Sequence, residues 1–494
     1  MMSVCPTQRP NDADETESPV KRVDWQDFRD HLSTADKQGH RKWLFPKKPK
    51  GRWYARRTYI SWLLLAILFA GPFIRINGNP YFLINIIERK FSIFGQLFWP
   101  SDFVIFVVAT LIFLTSILVF TTAFGRLWCG WTCPQTLLME MVFRKIEYAI
   151  EGDSVAQRAL AAAPWNTGKI AKRTAKHFIF FALSWIIGNT LLAYLIGSEK
   201  LITIITDDPR NHLVGLGFMT AFTLLFYAIF ARFREQACTF ICPYGRFMSA
   251  AIDENTMVVA YDHKRGENRG PMKRGQNIEL RHSEGLGDCV NCRACVAVCP
   301  TGIDIRDGTQ MECVNCTACI DACDNIMDRI GRPRGLIRYA SHNSIERGEK
   351  FHFTPRMAVY LIALTALTAV LAVLMFTRSD VETILLRAPG ALYTQLGDGR
   401  IENLYTVKVV NKTAREIPIE FKLENMRGEV SLMGDPEFSV AKDNLAQTSL
   451  LIILDRETVT ASSTKLKVGV YSNGKLLETV NTVFAGPRTA STTQ

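Results

Sequence analysis

Cysteine is absent after Cys323, and only Cys5 precedes Cys129. The other twelve of the 13 cysteines therefore lie in the middle of the chain. A secreted disulfide scaffold would spread an even number of cysteines through small domains, so this distribution argues against one. Within each group the cysteines are separated by two or three residues, a spacing that indicates metal ligation.

Nucleotide and haem motifs are also missing. The sequence contains no P-loop, no dinucleotide fingerprint after a predicted strand and no C-x-x-C-H haem attachment site. These absences argue against a P-loop NTPase, a Rossmann-type dehydrogenase and a c-type cytochrome. Residues 1–40 are polar and include acidic side chains, unlike a basic-then-apolar leader, so we expect no cleavable signal peptide.

Long apolar runs are abundant. Each is about 18–20 residues long, the length that a helix needs to cross the hydrocarbon core. Basic residues flank most of the runs, so the net charge of +11 indicates a membrane protein and not a nucleic-acid-binding one. The five predicted membrane helices are Tyr59–Ile76, Phe103–Phe120, Phe178–Ile196, Leu213–Ala231 and Met357–Phe376.

The distribution of Lys and Arg predicts a topology. These residues are dense in 41–57, 124–176 and 232–356 but sparse in 77–102 and 197–212. By the positive-inside rule, the amino terminus and the clustered cysteines then lie in the reducing cytoplasm of a bacterium, below its inner membrane. The fifth helix would deliver the remaining residues to the periplasm.

The carboxy-terminal segment has the pattern of a β-domain. Apolar and polar residues alternate in Leu404–Val410, Ile417–Leu423 and Leu466–Val470. The Asn-Gly pair in Ser472–Lys475 predicts a two-residue hairpin with a type I′ turn. About a hundred residues of short strands indicate an immunoglobulin-like β-sandwich, for which docking or stabilisation is the default role.

Together these patterns predict a multi-domain α+β membrane protein. The predicted segments are a disordered cytoplasmic tail (1–40), a four-helix membrane domain (41–250), a cytoplasmic ferredoxin domain of the bacterial two-cluster type (251–350), a fifth transmembrane helix (351–378) and a periplasmic immunoglobulin-like β-sandwich (379–494).

Eight cysteines form two copies of a ferredoxin motif. Residues 289–300 fit C-x2-C-x2-C-x3-C-P, and residues 313–324 repeat it with Asp324 at the proline position. Three thiolates of one copy can hold one cubane, while the fourth, at the start of a helix that points away, reaches the other. Zinc is the alternative, but the crossed spacing favours two 4Fe-4S clusters. Ligand set I is Cys289, Cys292, Cys295 and Cys323; ligand set II is Cys313, Cys316, Cys319 and Cys299.

Four further cysteines form two C-x3-C-P motifs, each after a predicted membrane helix. We call them the boundary cysteines: Cys129, Cys133, Cys238 and Cys242. Residues four apart share a helix face, so each pair can chelate one ion or cluster edge, and the two pairs can converge. Soft thiolates favour Cu(I), zinc or iron–sulfur, and Met139 and Met141 can add thioether ligands. The alternative is that these are small buried residues.

The order of these features resembles the CcoG/FixG/RdxA family of cytochrome c oxidase accessory proteins. The membrane module also resembles the NapH/NosR polyferredoxins. The likeness rests on the paired C-x3-C-P motifs, the doubled ferredoxin motif, the last membrane helix and the exported β-domain, and covers nearly the whole chain beyond the tail. Asp324 is the one departure.

This resemblance implies a cupric reductase that serves assembly of a cbb(3)-type oxidase. Copper ions, copper chaperones and oxidase assembly factors are the implied partners, with no nucleic acid. Sets I and II are implied cluster ligands, and the boundary cysteines an implied copper or additional metal site. Two alternatives stay open: a quinol-oxidising electron conduit of the NapH type, and a non-catalytic assembly factor. No motif identifies the electron donor.

Overall fold

The computed structural model describes residues 33–34, 38, 40–76, 78–85, 90–245, 250–272, 278–390, 392–413, 415–434, 438–442, 444–459 and 461–487. It forms two compact units. Unit 1 comprises the described residues up to 72, with 108–194 and 198–368; unit 2 comprises 73–107, 195–197 and those from 369 onwards. The predicted membrane helices and ferredoxin segment thus fall largely in unit 1.

Helices dominate unit 1. In chain order, the α-helices of the described residues are α1 Arg52–Ala70, α2 Phe103–Phe124, α3 Leu127–Trp131, α4 Pro134–Leu137, α5 Arg144–Ile150, α6 Ser154–Ala162, α7 Thr167–Ile196, α8 Ser198–Thr206, α9 Leu213–Ala228, α10 His263–Gly266, α11 Ile278–Ser283, α12 Ala294–Ala297, α13 Ala318–Arg329, α14 His342–Glu346 and α15 Pro355–Phe376. The π-helical segments are Leu138–Phe143, Ile229–Phe233 and Ala237–Ile241.

Strands form most of unit 2. In chain order, the strands are β1 Arg75–Ile76, β2 Asn79–Pro80, β3 Phe82–Asn85, β4 Lys90–Ile93, β5 Gln96–Phe98, β6 Val258–Tyr261, β7 Ile337–Ala340, β8 Val381–Arg387, β9 Thr394–Gln395, β10 Ile401–Asn411, β11 Ile417–Pro418, β12 Glu420–Leu423, β13 Glu429–Met433, β14 Ser439–Val440, β15 Leu445–Leu454, β16 Ser463–Ser472 and β17 Lys475–Ala485. Of these, β6 and β7 pair with each other within unit 1.

Four helices in the described part of the chain are long and apolar enough to cross a membrane. They are α2, α7, the helical stretch Pro209–Phe233 that contains α9, and α15. None of the residues in the most apolar windows of α2 and α15 is buried within the structure. Helices that are apolar on every side and unburied are typical of contact with lipid.

The predicted bounds of the first membrane span are wrong. α1 begins at Arg52 and ends at Ala70, and the sequence beyond its Gly71-Pro72 end forms strands from Arg75 onwards. Arg56 and Arg57 also lie in its first turns, so only about 18 Å of helix is apolar, against a hydrocarbon core of roughly 30 Å. α1 is therefore not among the helices that meet the criteria for a span.

The tail predicted to be disordered, residues 1–40, lies outside the described residues except at 33, 34, 38 and 40. Ser33, one of these four, is anchored. Its N–H donates to Glu312 Oε1 at 3.0 Å and its hydroxyl to the Thr301 carbonyl at 2.6 Å. This end of the tail is therefore tied to the ferredoxin segment.

The helices of the two ferredoxin motifs differ in length. α12 begins at Ala294 and α13 at Ala318, one residue before the third cysteine of each motif, so the predicted start at the fourth cysteine is wrong. α12 stops at once because Pro300 follows, whereas α13 continues to Arg329. Asp324, which replaces the proline, accepts a hydrogen bond from the Gly335 N–H at 3.0 Å. The departure from the motif thus lengthens a helix.

The carboxy-terminal part of unit 2 has the predicted immunoglobulin-like architecture. One sheet has the order β13-β15-β10-β8 with β9 beside β10, and a second has the order β12-β16-β17. Inward residues of both sheets, such as Tyr405, Leu450 and Val468, are fully buried together. The predicted hairpin is confirmed: Ser472 pairs with Lys475 across a turn whose two central residues have φ of 46° and 77°.

A buried ion cluster lies elsewhere in unit 2, and the sequence did not indicate it. Asp102, just before α2, accepts from Arg378 at 2.7 Å and from Lys412 at 2.8 Å. Burial raises the pKa of Asp102, but the two cations and a backbone N–H outweigh burial and hold it below its usual range. The start of α2 is thus joined to the residues around β8 and β10.

Candidate iron–sulfur and boundary-thiol site

The structure brings the cysteines of set I together. One cavity is lined by all four of them, with Tyr261 and Arg306 also on its wall. Three come from the first motif, and Cys323 comes from α13 of the second. Set I therefore has the crossed arrangement expected from the spacing.

A second cavity is lined by all four cysteines of set II, together with Cys295. Here Cys299 of the first motif joins three cysteines of the second. The two cavities have the same volume, about 20 Å³. The two motifs together therefore line two cavities, and each cavity has the four sulfur atoms of one ligand set on its wall.

The backbone of both motifs turns in the same way. Asn291 and Arg293 have φ of 48° and 52°, and the equivalent Asn315 and Thr317 have φ of 53° and 66°. A non-glycine residue in this left-handed region costs about 1–3 kcal/mol, so its repetition indicates a functional constraint. Such turns direct successive backbone N–H groups toward one concave centre, where they favour a negative charge.

Burial makes these thiols weak acids. It raises the pKa of Cys295 and of Cys313 to about 12, and that of Cys316 to about 11. A metal must therefore displace protons to bind these sulfur atoms as thiolates.

The boundary cysteines do not share helix faces as predicted. Cys129 lies in α3, but Cys133 has left that helix, with ψ of 122°, and precedes α4. Cys238 lies in a π-turn, and Cys242 has left it with ψ of 112°. The cause is local: each second cysteine precedes a proline, which disfavours helical ψ. Each pair therefore flanks a break in a helix.

The two boundary motifs nevertheless converge. Burial raises the pKa of the Cys238 thiol to about 12, and Cys133, Cys129 and Cys242 add to the shift by charge repulsion. Tyr244, two residues after Cys242, also packs against the buried cluster that contains Cys129, so the two motifs meet in the structure. In the residues that the structure describes, no three His, Cys, Asp or Glu side chains are arranged to hold a single metal ion.

The boundary cysteines adjoin set II. Cys129 packs in one buried cluster with Val314 and Cys316. Cys238 lines a small cavity with Thr301 and Val314. Thr301 lies two residues after Cys299, and Val314 follows Cys313 directly. Met139 lines this cavity too, whereas Met141 is buried and accepts a hydrogen bond from Thr58. Both boundary motifs therefore lie against the same ligand set.

Gly130 permits this close approach. A Cβ atom at Gly130 would lie 2.3 Å from the Val314 carbonyl oxygen, which belongs to the backbone and cannot rotate away. The next residue, Trp131, donates from Nε1 to the Asn315 carbonyl at 3.3 Å. The first boundary motif thus lies directly on the second ferredoxin motif.

We expect Gly130→Ala to push the two motifs apart. Overpacking of this kind costs about 1–3 kcal/mol, because the clash is with backbone. Thermal unfolding of the purified protein in detergent measures this loss. Gly331→Ala is a control for added bulk, since nothing lies within 4 Å of its Cβ position, although its φ of +69° adds local strain. Equal unfolding temperatures for wild type and Gly130→Ala would contradict the close packing.

Sequence reasoning missed a buried ionic network behind the site. Glu147 accepts from Arg234 in a bidentate pair at 2.9 and 2.8 Å and lies 3.6 Å from Lys176 Nζ. Arg144 lies 2.9 Å from Glu140 and 3.6 Å from Glu235. The charges at positions 140, 144, 147 and 151 recur every three or four residues, a helical spacing that could have revealed one charged face.

Curated relatives match most of the chain. It is 33% identical over 427 residues to the nitrogen fixation protein FixG of Rhizobium meliloti, covering 78% of this chain and 80% of that protein. It is 35% identical to protein RdxA of Cereibacter sphaeroides, covering 82% of each, and 34% identical to protein RdxB of the same organism, covering 77% and 81%. The chain belongs to the FixG/RdxA family.

Family models locate the domains of this FixG-family chain. The model of a 4Fe-4S dicluster domain matches residues 233–342, and that of a 4Fe-4S binding domain matches residues 106–150. The model of the Ig-like fold at the carboxy terminus of FixG matches residues 371–487. A FixG-related protein from Vibrio parahaemolyticus, known from its crystal structure, is 20% identical over 22% of this chain and 97% of that chain, with a TM-score of 0.19. The chain is thus an iron–sulfur electron-transfer protein of the membrane.

Proposed function

We propose that this FixG-family protein is a membrane-bound cupric reductase. It takes Cu(II) as substrate at the boundary cysteines and releases Cu(I) for assembly of a cbb(3)-type cytochrome c oxidase. The observation that carries the proposal is the contact between the two thiol sites: Cys129 shares a buried cluster with Cys316. An electron held at set II would therefore reach a metal at the boundary cysteines without crossing solvent.

Sets I and II are suited to hold one 4Fe-4S cluster each. Each cavity offers four sulfur donors and a left-handed loop whose N–H groups favour negative charge. Bound clusters would supply one-electron storage and transfer.

The boundary cysteines favour the reduced form of copper. Soft thiolates prefer Cu(I), so binding at Cys129, Cys133, Cys238 and Cys242 makes gain of an electron by Cu(II) more favourable. The reaction consumes one electron per ion and leaves the thiolates unoxidised. Met139 lines the cavity beside Cys238 and can add a thioether ligand.

The membrane arrangement extends this proposal. By the positive-inside rule the cysteine-rich region would lie in the bacterial cytoplasm, and a crossing by α15 would place the Ig-like domain in the periplasm. Copper chaperones and oxidase assembly factors would then receive the product. The Ig-like domain would serve as their docking or stabilising element.

A Cu(I)-specific chelator assay tests the proposal. The protein is reduced with dithionite under anaerobic conditions and desalted, and Cu(II) is added with the chelator. We expect wild type to form Cu(I), and Cys129→Ser with Cys238→Ser to form it at least about tenfold more slowly, a barrier increase of about 1.4 kcal/mol. Iron content verifies that the double variant keeps its clusters.

Cys5→Ser is the matched control, because it removes a thiol from the amino-terminal tail. It should reduce copper at the wild-type rate. Wild-type rates in the double variant would refute the boundary cysteines as the copper site. Reduction of the clusters by a quinol analogue, with no copper reduction by any form, would favour the quinol-oxidising conduit.

A further inference from the structure

Two arginines lie buried where the boundary cysteines meet set II. Arg57 is in α1, and Arg126 is between α2 and α3; their exposed fractions are 2% and 5%. A buried cation is stable only when negative charge or hydrogen-bond acceptors compensate it. The partners of these two side chains therefore show what charge the site is built to hold.

Neither arginine has a carboxylate partner among the described residues. Arg57 Nε donates to the Gly130 carbonyl at 2.6 Å, and Arg126 Nη1 donates to the Met311 carbonyl. Within the part of the chain that the structure describes, Arg57 Nη2 and Arg126 Nε are buried and have no hydrogen-bond partner. Arginine side chains are always charged, so each leaves an uncompensated positive charge in the protein interior.

The contrast with neighbouring buried arginines is clear. Arg144 and Arg234, equally buried in unit 1, each lie within 4 Å of glutamate oxygens. Arg306, beside set I, is paired with Asp304 at 2.5 Å. These three buried arginines of unit 1 therefore have carboxylate partners, whereas Arg57 and Arg126 have none within the described residues.

Both arginines lie beside cysteine motifs instead. Arg57 donates to the carbonyl of Gly130, the residue after Cys129, and a Cβ atom at Gly130 would lie 2.3 Å from the carbonyl oxygen of Val314, the residue after Cys313. Arg126 donates to the carbonyl of Met311, two residues before Cys313, and its Nη2 atom lies 3.0 Å from the Cβ position of Gly245, three residues after Cys242. The two cations therefore lie next to both boundary motifs and the second ferredoxin motif.

We propose that Arg57 and Arg126 are positioning residues that supply the counter-charge for an anionic, thiolate-bound centre at set II and the boundary cysteines, and that they raise the reduction potential of the group held by set II. Reduction adds negative charge, and a fixed cation in a low-dielectric interior stabilises the reduced form more than the oxidised form. The proposal rests on the cluster-ligand assignment in the proposed function, and not on copper reduction.

Redox titration followed by EPR tests this role in the full-length protein in detergent. Arg57→Gln and Arg126→Gln remove the charge, while Arg57→Lys and Arg126→Lys keep it. All are made in a Cys323→Ser background, which perturbs set I and leaves the signal of set II to be followed. Arg281→Gln is the matched control, because Arg281 is equally buried, has no carboxylate partner among the described residues and donates to carbonyls, including that of Cys289 in set I.

We expect each Gln variant to lower the equilibrium constant for one-electron reduction of the group at set II about tenfold. This corresponds to a fall in its reduction potential of about 59 mV. The Lys variants should shift it by less than about threefold, and Arg281→Gln should leave it unchanged. Gln variants with the potential of wild type, or an equal shift in the control, would overturn the proposal.

The iron content of the Gln and Lys variants gives a second test of the proposal. If the Gln variants lose the iron of set II and the Lys variants keep it, the charge is needed for assembly, which supports the proposal. If both kinds of variant lose it, side-chain shape matters and not charge, and the proposal is wrong. Absence of iron from the wild-type protein would instead refute the ligand assignment in the proposed function.

Discussion

Replacing Cys299 by serine is expected to abolish the group bound by the second ferredoxin motif and to spare the group bound by the first. Cys299 lies in the first motif, yet it lines the cavity of set II with Cys313, Cys316 and Cys319. Serine offers a poor ligand for iron at this buried position. We therefore expect the variant to keep about half of the iron, with the EPR spectrum of a single cluster.

The reciprocal variant provides the control. Cys323→Ser lies in the second motif but lines the cavity of set I, so it should remove the other cluster. Redox titration identifies the cluster that survives in each variant by its potential. If Cys299→Ser and Cys289→Ser remove the same cluster, the ligands are not crossed and the arrangement of the two cavities does not reflect ligation.

The crossed arrangement could be predicted from sequence because it depends on short-range geometry. Three cysteines with two residues between neighbours must line one loop. A fourth cysteine, separated from the third by three residues, cannot return to that loop. The difference in length between α12 and α13, the helices of the two motifs, could not be predicted so easily. The sequence showed only that Asp324 stands where the motif has proline; the effect in the structure is that α13 continues to Arg329, because the helix meets no proline there.

The convergence of the boundary cysteines depends on long-range packing, which leaves little local trace. Gly130 lies on the Val314 carbonyl, far away in the sequence, and a glycine between two cysteines does not reveal this contact. The proline after each motif did carry a signal: it takes Cys133 and Cys242 out of helical conformation. Reading helical spacing alone missed that effect.

Apolar composition predicted four membrane helices well and the first one poorly. The run Tyr59–Ile76 is apolar on average, but α1 ends at Ala70 and three arginines occupy its first turns. The signal for this end was present in Gly71-Pro72, since proline is unsuited to a helix interior. The burial of Arg57 without a carboxylate partner among the described residues could not be inferred, because tertiary packing decides which cations are buried away from acids.

Glu147→Gln is expected to destabilise unit 1 by about 3–5 kcal/mol. Glu147 is 3% exposed and faces Arg234 and Lys176, which are 4% and 3% exposed. The substitution keeps the shape of the side chain but leaves both cations with one fewer negative charge in the interior. Breaking one side of a buried ion pair is costly because the desolvated partner remains.

The pH dependence of this contribution has a definite sign. Burial raises the pKa of Glu147, but Arg234, Lys176 and Arg144 together outweigh burial and lower it. Because the folded pKa lies below the unfolded value of about 4.3, the stabilisation is complete above that pH and is lost as the pH falls through the folded pKa. Wild type should therefore lose its advantage over Glu147→Gln in acid.

Thermal unfolding of the detergent-solubilised proteins between about pH 3 and pH 7 measures both effects. Glu349→Gln is the control, since Glu349 is an exposed residue 3.7 Å from Arg347, and exposed pairs contribute at most about 1 kcal/mol. Adding Arg234→Met to Glu147→Gln should recover part of the loss, because it removes one of the unpaired cations. If Glu147→Gln unfolds like the control at neutral pH, the network does not hold α5 against the segment after α9.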